Sequence, residues 1–252
     1  MLRYKIEILI LDNSISRDSR KPRLITFLHT KMPSETVKVV CISDTHGRTD
    51  AEKFPQIPDG DILIHAGDIS ERGNVDHITK FNDWLGTLPH QYKIVIGGNH
   101  DKMLDDTLME TARTMKRKLT NCIYLESNAV YIKGIKFYGC PYTRNGGTQN
   151  HAFQMSTEEL KSRWEKIPRD VDILITHMPP FGILDLKSND PEPVGCKHLL
   201  QAVTERINPK LHVFGHIHGS HGCQEIGTTM FVNASTVCGP VFNQPIIFDY
   251  KY

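Results

Sequence analysis

Short apolar runs recur along this chain from Lys38 onward, and five of them end in the same way. KVVCIS leads into Asp44-Thr45-His46-Gly47, DILIHAG into Asp68, KIVIGG into Asn99-His100-Asp101, DILIT into His177, and LHVFG into His216-Ile217-His218. Runs of this length, rich in Val and Ile, are the buried strands of a sheet. IKFYG, TMFVNAS and PIIFDY add three more without that ending. Amphipathic segments lie between the early runs. HITKFNDWLGTL sets Ile78, Phe81, Trp84, Leu85 and Leu88 near one helical face, LMETARTMKRKL reads similarly, and TEELKSRWEKI follows the capping residue Ser156. Strands alternating with helices predict one α/β domain with the sheet covered on both faces. In open α/β sheets functional groups collect beyond the carboxyl ends of the strands, so the five runs deliver their oxygens and imidazoles to a shared edge.

Spacing and donor type narrow the chemistry. In an extended chain residues i and i+2 point to the same side, so Asp44 and His46 can reach one ion together, as can His216 and His218. The set of two Asp, one Asn and four His contains no thiolate. It suits manganese, iron or zinc and is too rich in nitrogen for calcium or magnesium alone. A lone Asp-x-His, or a single His after a strand, is structural more often than it is a ligand. Five such endings in series leave that explanation little room. Seven donors are too many for one four-coordinate ion and enough for two ions sharing a carboxylate. His65 lies inside a run and faces either core or solvent. His29, His77, His90, His151, His198, His212 and His221 have no motif around them and read as ordinary residues.

Composition removes several other classes. A formal net charge of +1 and the absence of basic runs argue against nucleic acid as the main partner. With 39% hydrophobic and 23% charged residues the chain is globular. Six cysteines are scattered with no C-x-x-C pair, which points to a reducing, cytoplasmic setting. The apolar stretch IEILIL at 6–11 is too short to span a membrane. Residues 1–36 read as an extension, with a strand over Tyr4 to Leu11 and then the polar stretch NSISRDSRKPR, and residues 37–252 as the domain itself. Asn233-Ala234-Ser235 is a glycosylation sequon only in a secreted chain and is discounted.

DTHG (44–47), GD (67–68), GNHD (98–101), HMPP (177–180) and GHIH (215–218) together resemble the blocks of the calcineurin-like metallophosphoesterases. CISDTHGRTD, TNCIYL, LHVFGHIH and VNAS narrow the resemblance to the metallophosphoesterase-domain-containing branch. It implies a four-layer αββα sandwich with metals at the strand ends. Asp44, His46 and His218 would hold one divalent ion, Asn99, His177 and His216 a second, and Asp68 would bridge them. Manganese is the leading expectation, with iron or zinc as alternatives. His100 would face the substrate phosphate and assist the leaving oxygen. Asp101 is expected to orient His100 by a hydrogen bond and raise its basicity, or else to serve as an acid at a helix N-terminus. The implied reaction is hydrolysis of a small phosphodiester, above all a 3′,5′-cyclic nucleotide, by in-line attack of a hydroxide bridging the ions. The alternative is an inactive member of the fold that binds nucleotide or protein.

Where related members carry a tryptophan-rich stretch, this chain reads GCPYTRNGGTQNHAF, and Tyr142, Arg144 and Phe153 are expected to line a base or leaving-group pocket. Asn233 in VNAS is a further candidate contact to substrate. GDISERG resembles the GDxxDRG block of the serine/threonine protein phosphatases, with Glu71 in place of Asp, but no other hallmark of that group accompanies it.

Overall fold

A computed structural model describes residues 35–147, 151–188 and 191–252 of the chain. The strand expected over Tyr4 to Leu11, the polar stretch after it and His29 lie outside the described residues. In chain order the sheet strands begin with β1 (Thr36–Ile42), β2 (Ile62–His65), β3 (Tyr92–Val95), β4 (Ile123–Tyr124) and β5 (Asn128–Ile132). They continue with β6 (Ile135–Cys140), β7 (Ile173–Thr176), β8 (Leu211–Phe214), β9 (Gly222–Ile226), β10 (Thr229–Asn233) and β11 (Ile246–Lys251). One sheet runs in the order β11-β1-β2-β3-β4, parallel apart from its β11 edge. The other runs β9-β10-β8-β7-β6-β5, with a parallel centre and antiparallel edges.

Side chains alternate across each strand, and this decides the layering. Val39, Cys41, Ile62, Ile64 and Ile94 from the first sheet share one buried cluster with Phe137, Ile173, Ile175, Val213 and Val232 from the second. Their odd and even neighbours point outward. Val40, Ile42, Leu63 and Val95 join a second cluster with Ile78, Phe81 and Leu85 of α1 (Val75–Thr87) and Met115 of α2 (Ala112–Lys118). Leu174, Phe214 and Phe231 join the same cluster, with Leu160 and Trp164 of α3 (Thr157–Glu165) and Leu199 of α4 (Lys197–Gln201). Strands buried on both faces explain why the runs read as continuously apolar. The architecture is helix, sheet, sheet, helix, the αββα sandwich expected.

Local signals hold where they were clear. Ser156 and Glu159 form a reciprocal capping box at the start of α3. The helix expected from Leu108 begins only at Ala112. The reason is Asp105, whose carboxylate accepts from the backbone and hydroxyl of Thr107 and from the Phe153 amide, fixing a turn that competes with helix. No helix among the described residues is long and apolar enough to cross a membrane.

Candidate metal centre

The carboxyl ends of β1, β2, β3, β7 and β8 open onto one another, and the loops leaving them are stitched backbone to backbone. Asp44 N donates to Gly67 O at 2.9 Å, His46 N to Asp68 O at 3.0 Å, and Gly215 N to His177 O at 3.0 Å. Four of the candidate ligands sit in the left-handed region that side chains rarely adopt: Asp44 (φ 54°), His46 (φ 48°), Asp68 (φ 57°) and His216 (φ 68°). Strain of this kind persists only where surrounding bonds over-determine it, and it gathers at functional sites. Two glycines make the required room. A Cβ at Gly98 would strike the Asp68 carboxylate, and one at Gly215 would strike that of Asp44.

All seven expected ligands come together. His218 Nε2 lies 3.2 Å from Asp44 Oδ1 and 3.2 Å from His46 Nε2. On the far side, Asn99 Oδ1 lies 3.0 Å from His177 Nε2 and 2.7 Å from His216 Nδ1. Asp68 Oδ2 stands between these halves, 3.8 Å from His46 Nε2 and 3.3 Å from His177 Nε2. Asp44, His46 and His218 form one compact set of donors that could hold an ion, and Asp44, Asp68 and His177 another.

The electrostatics fit divalent cations. Burial alone would raise the pKa of Asp44, but the His218 hydrogen bond and the charge of His177 outweigh it and hold the carboxyl below its ordinary range. Asp68 is likewise held well below, with burial overcome chiefly by His177. Two buried carboxylates are thus kept ionised side by side by neighbouring imidazole charge, a compensation that bound cations can take over. Burial opposes charge on His177 as well, yet Asp68 pulls its pKa up to about 9. His177 Nδ1 faces the Ala66 carbonyl at 2.8 Å, which turns Nε2 toward the oxygens of Asp68 and Asn99, where a metal ion can replace the proton. Nitrogen, carboxylate and amide donors without thiolate suit a first-row transition ion.

Asp101 does something other than expected. Its Oδ2 accepts from the amides of Gly98 at 2.9 Å and Ile69 at 3.1 Å, and its Oδ1 from the Ser70 amide at 2.7 Å and hydroxyl at 2.8 Å. The carboxylate is buried and staples the loop after β2 to the loop after β3. No bond joins it to the His100 ring, and it makes no side-chain cap on the short 3₁₀ turn Lys102–Leu104. The carboxylate near His100 is instead Glu71, whose Oε1 lies 3.6 Å from Nδ1, while its Oε2 lies 3.6 Å from His46 Nδ1. Nor is His100 made more basic. Burial lowers its pKa, and the carboxylates of Asp68 and Glu71 do not offset this. Asp101→Ala would strand three buried backbone amides and leave the Ser70 hydroxyl only the His100 carbonyl, so urea unfolding is expected to show a loss of about 3 kcal/mol or more. Unchanged stability with a reduced rate would restore a direct catalytic role.

Three expected substrate contacts turn out to be structural. Asn233 is buried, with Nδ2 donating to Leu184 O and Ile217 O and Oδ1 accepting from Ser235 N, so its amide is satisfied internally. Tyr142 packs in the outer core, its ring edge-on to Phe153 and capped by the Arg163 guanidinium at 4.8 Å. Phe153 is buried there too. Arg144 is exposed and lines a cavity of about 430 Å³ beside the centre, together with Asn99, His151, Lys187, His216 and His218. His151 has no motif to mark it. The bond from Ala152 N to Asn99 O at 2.8 Å brings its ring to 5.3 Å from that of His100. His65 faces the helix layer, buried against Phe81, with Nε2 3.0 Å from the Thr45 hydroxyl.

Known proteins resemble this chain in sequence and in fold. The calcineurin-like phosphoesterase family profile matches residues 37–220. Metallophosphoesterase domain-containing protein 1 of Homo sapiens is 42% identical over 239 residues, covering 86% of this chain and 72% of the relative. A UPF0046 protein of Caenorhabditis elegans is 38% identical over 239 residues, covering 88% of this chain and 84% of its own length. In fold, the crystal structure of TT1561 of Thermus thermophilus superposes with a TM-score of 0.54 at 17% identity, covering 79% of this chain and 89% of that one. The profile match and the extent of these identities place the chain in the calcineurin-like phosphoesterase family.

Proposed function

We propose that this phosphoric ester hydrolase cleaves small phosphodiesters, with 3′,5′-cyclic nucleotides the first candidates, using two divalent ions, manganese foremost. Asp44, His46 and His218 would hold one ion and Asn99, His177 and His216 the other, with Asp68 shared. The observation that carries this reading is the position of Asp68 Oδ2 between His46 Nε2 and His177 Nε2. Bound divalent ions supply positive charge against phosphoryl oxygens and acidify water.

The chain's own groups do the rest. The Ala66 carbonyl fixes the orientation of His177, and Ser235 Oγ, donating to Asp44 Oδ2 at 2.9 Å, fixes that carboxylate. The His100 amide donates to Asp68 Oδ1 at 2.8 Å, which ties the backbone of the proposed acid to the shared carboxylate. The His100 ring, between His46 and His151, donates a ring N–H to the departing oxygen. An arriving phosphoryl anion favours its protonated form, offsetting the effect of burial. Glu71, beside Nδ1, stabilises that charge.

The test is a hydrolysis panel of bis(p-nitrophenyl) phosphate, cyclic nucleotides and nucleoside monophosphates against manganese, zinc, iron and magnesium. Diester turnover dependent on a transition ion is expected. Monoester cleavage alone would overturn the phosphodiester assignment, and no turnover with any ion would favour a binding module.

A further inference from the structure

The cavity beside the centre carries cationic groups that cleavage of a single phosphodiester does not call on. Two segments bring them there. Arg144 stands in the short strand Thr143–Arg144, paired with Gln154–Met155. Lys187 follows Leu186, whose backbone is pinned at both ends by the Ser220 hydroxyl, at 2.9 Å through its amide and 2.7 Å through its carbonyl. Both side chains are exposed and line the same cavity as Asn99, His216 and His218. Among the described residues neither is paired with a carboxylate, and no Asp or Glu lines the cavity. The carboxylates of the centre are accounted for by the histidines and the ions they would hold. The cavity of about 430 Å³ is also larger than one phosphate group requires. Guanidinium and ammonium groups that face an open hollow beside the centre are placed to receive an anion, the guanidinium by paired hydrogen bonds and the ammonium as a point charge.

We propose that Arg144 and Lys187 form a second anion subsite, so that the preferred substrate is a small phosphodiester bearing a further phosphate group. The scissile phosphorus sits at the metal centre, and the second phosphate lies between the two cations. This rests on the phosphodiesterase reading and narrows its substrate class. A long polyanion is disfavoured as the ligand by the chain's net charge of +1.

The test uses the manganese-loaded full chain, titrated calorimetrically with adenosine 5′-monophosphate and adenosine 3′,5′-bisphosphate at fixed ionic strength. Wild type is expected to bind the bisphosphate about tenfold more tightly or better, the gain typical of charge-assisted contacts from two partly solvated cations. In the Arg144→Ala/Lys187→Ala variant that preference is expected to fall to about twofold, with monophosphate affinity little changed, because only the second contact is lost. Lys161→Ala, an exposed cation of α3 away from this cavity, controls for net charge and should keep the full preference. Equal binding of the two nucleotides by wild type, a preference that survives the double variant, or equal loss in Lys161→Ala would overturn the subsite. Turnover of bis(p-nitrophenyl) phosphate, followed in parallel, keeps the two readings apart. Turnover without the preference defeats only the subsite, and preference without turnover defeats only the phosphodiesterase reading.

Discussion

Asp68→Ala is expected to abolish metal-dependent hydrolysis and to reduce the bound metal to one ion per chain or fewer. The residue is 1% exposed, its Oδ2 faces histidines on both sides, and its Oδ1 accepts from the His100 amide. Removing it takes a shared ligand from both proposed ions, frees the loop that carries His100, and strips the carboxylate from beside His177 Nε2. Loss of a ligand and of an outer partner each weakens a metal site by about 10–100-fold or more, and here they coincide. Metal content and diester turnover should be measured on the same sample. Near-normal turnover would show that Asp68 is not shared between ions.

His100→Ala should behave differently: metal is retained, while the rate falls by about 10²–10⁴, the range for a group that handles a proton. The ring is part-exposed at the edge of the centre, with 24% of its side-chain surface accessible, and neither of the two compact donor sets around Asp44 includes it. A third potential set, His46, Glu71 and His100, gives the experiment its opposite outcome. If the variant loses metal along with activity, His100 is a ligand. If metal stays and only the rate falls, the acid role stands.

The strand endings were legible because a strand buried on both faces is a continuous apolar run, and its carboxyl end is therefore visible in one dimension. The edge strands were not. β5 (NAVYI) and β9 (GCQEI) are mostly exposed and lack the apolar run that marks a core strand. Spacing brought Asp44 and His46 to one place but could not apportion His216 and His218 between neighbouring ions; that division came from the family resemblance, and in the structure His218 lies against Asp44 and His216 against Asn99. Asp101 was misread because two of its three partner residues, Ile69 and Ser70, lie in another loop more than thirty residues away. Proximity in sequence to His100 suggested a bond that the Asp101 carboxylate, engaged by backbone amides and the Ser70 hydroxyl, does not make. Tyr142 and Asn233 were misread for a related reason. Both sit near strand ends, where one step in register decides between the cavity and the core. His151 reaches His100 only because its loop hydrogen-bonds to the turn at Asn99, a long-range contact that no local pattern encodes.

Everything proposed for this chain depends on a paired cation centre where β1, β2, β3, β7 and β8 end. Elemental analysis of the purified protein, with anomalous diffraction to locate the ions in crystals, tests it most directly. The expected result is about two transition ions per chain, flanking Asp68 as in two-metal hydrolases. Protein purified without chelators and supplied with manganese, zinc or iron that holds no ion there would contradict it.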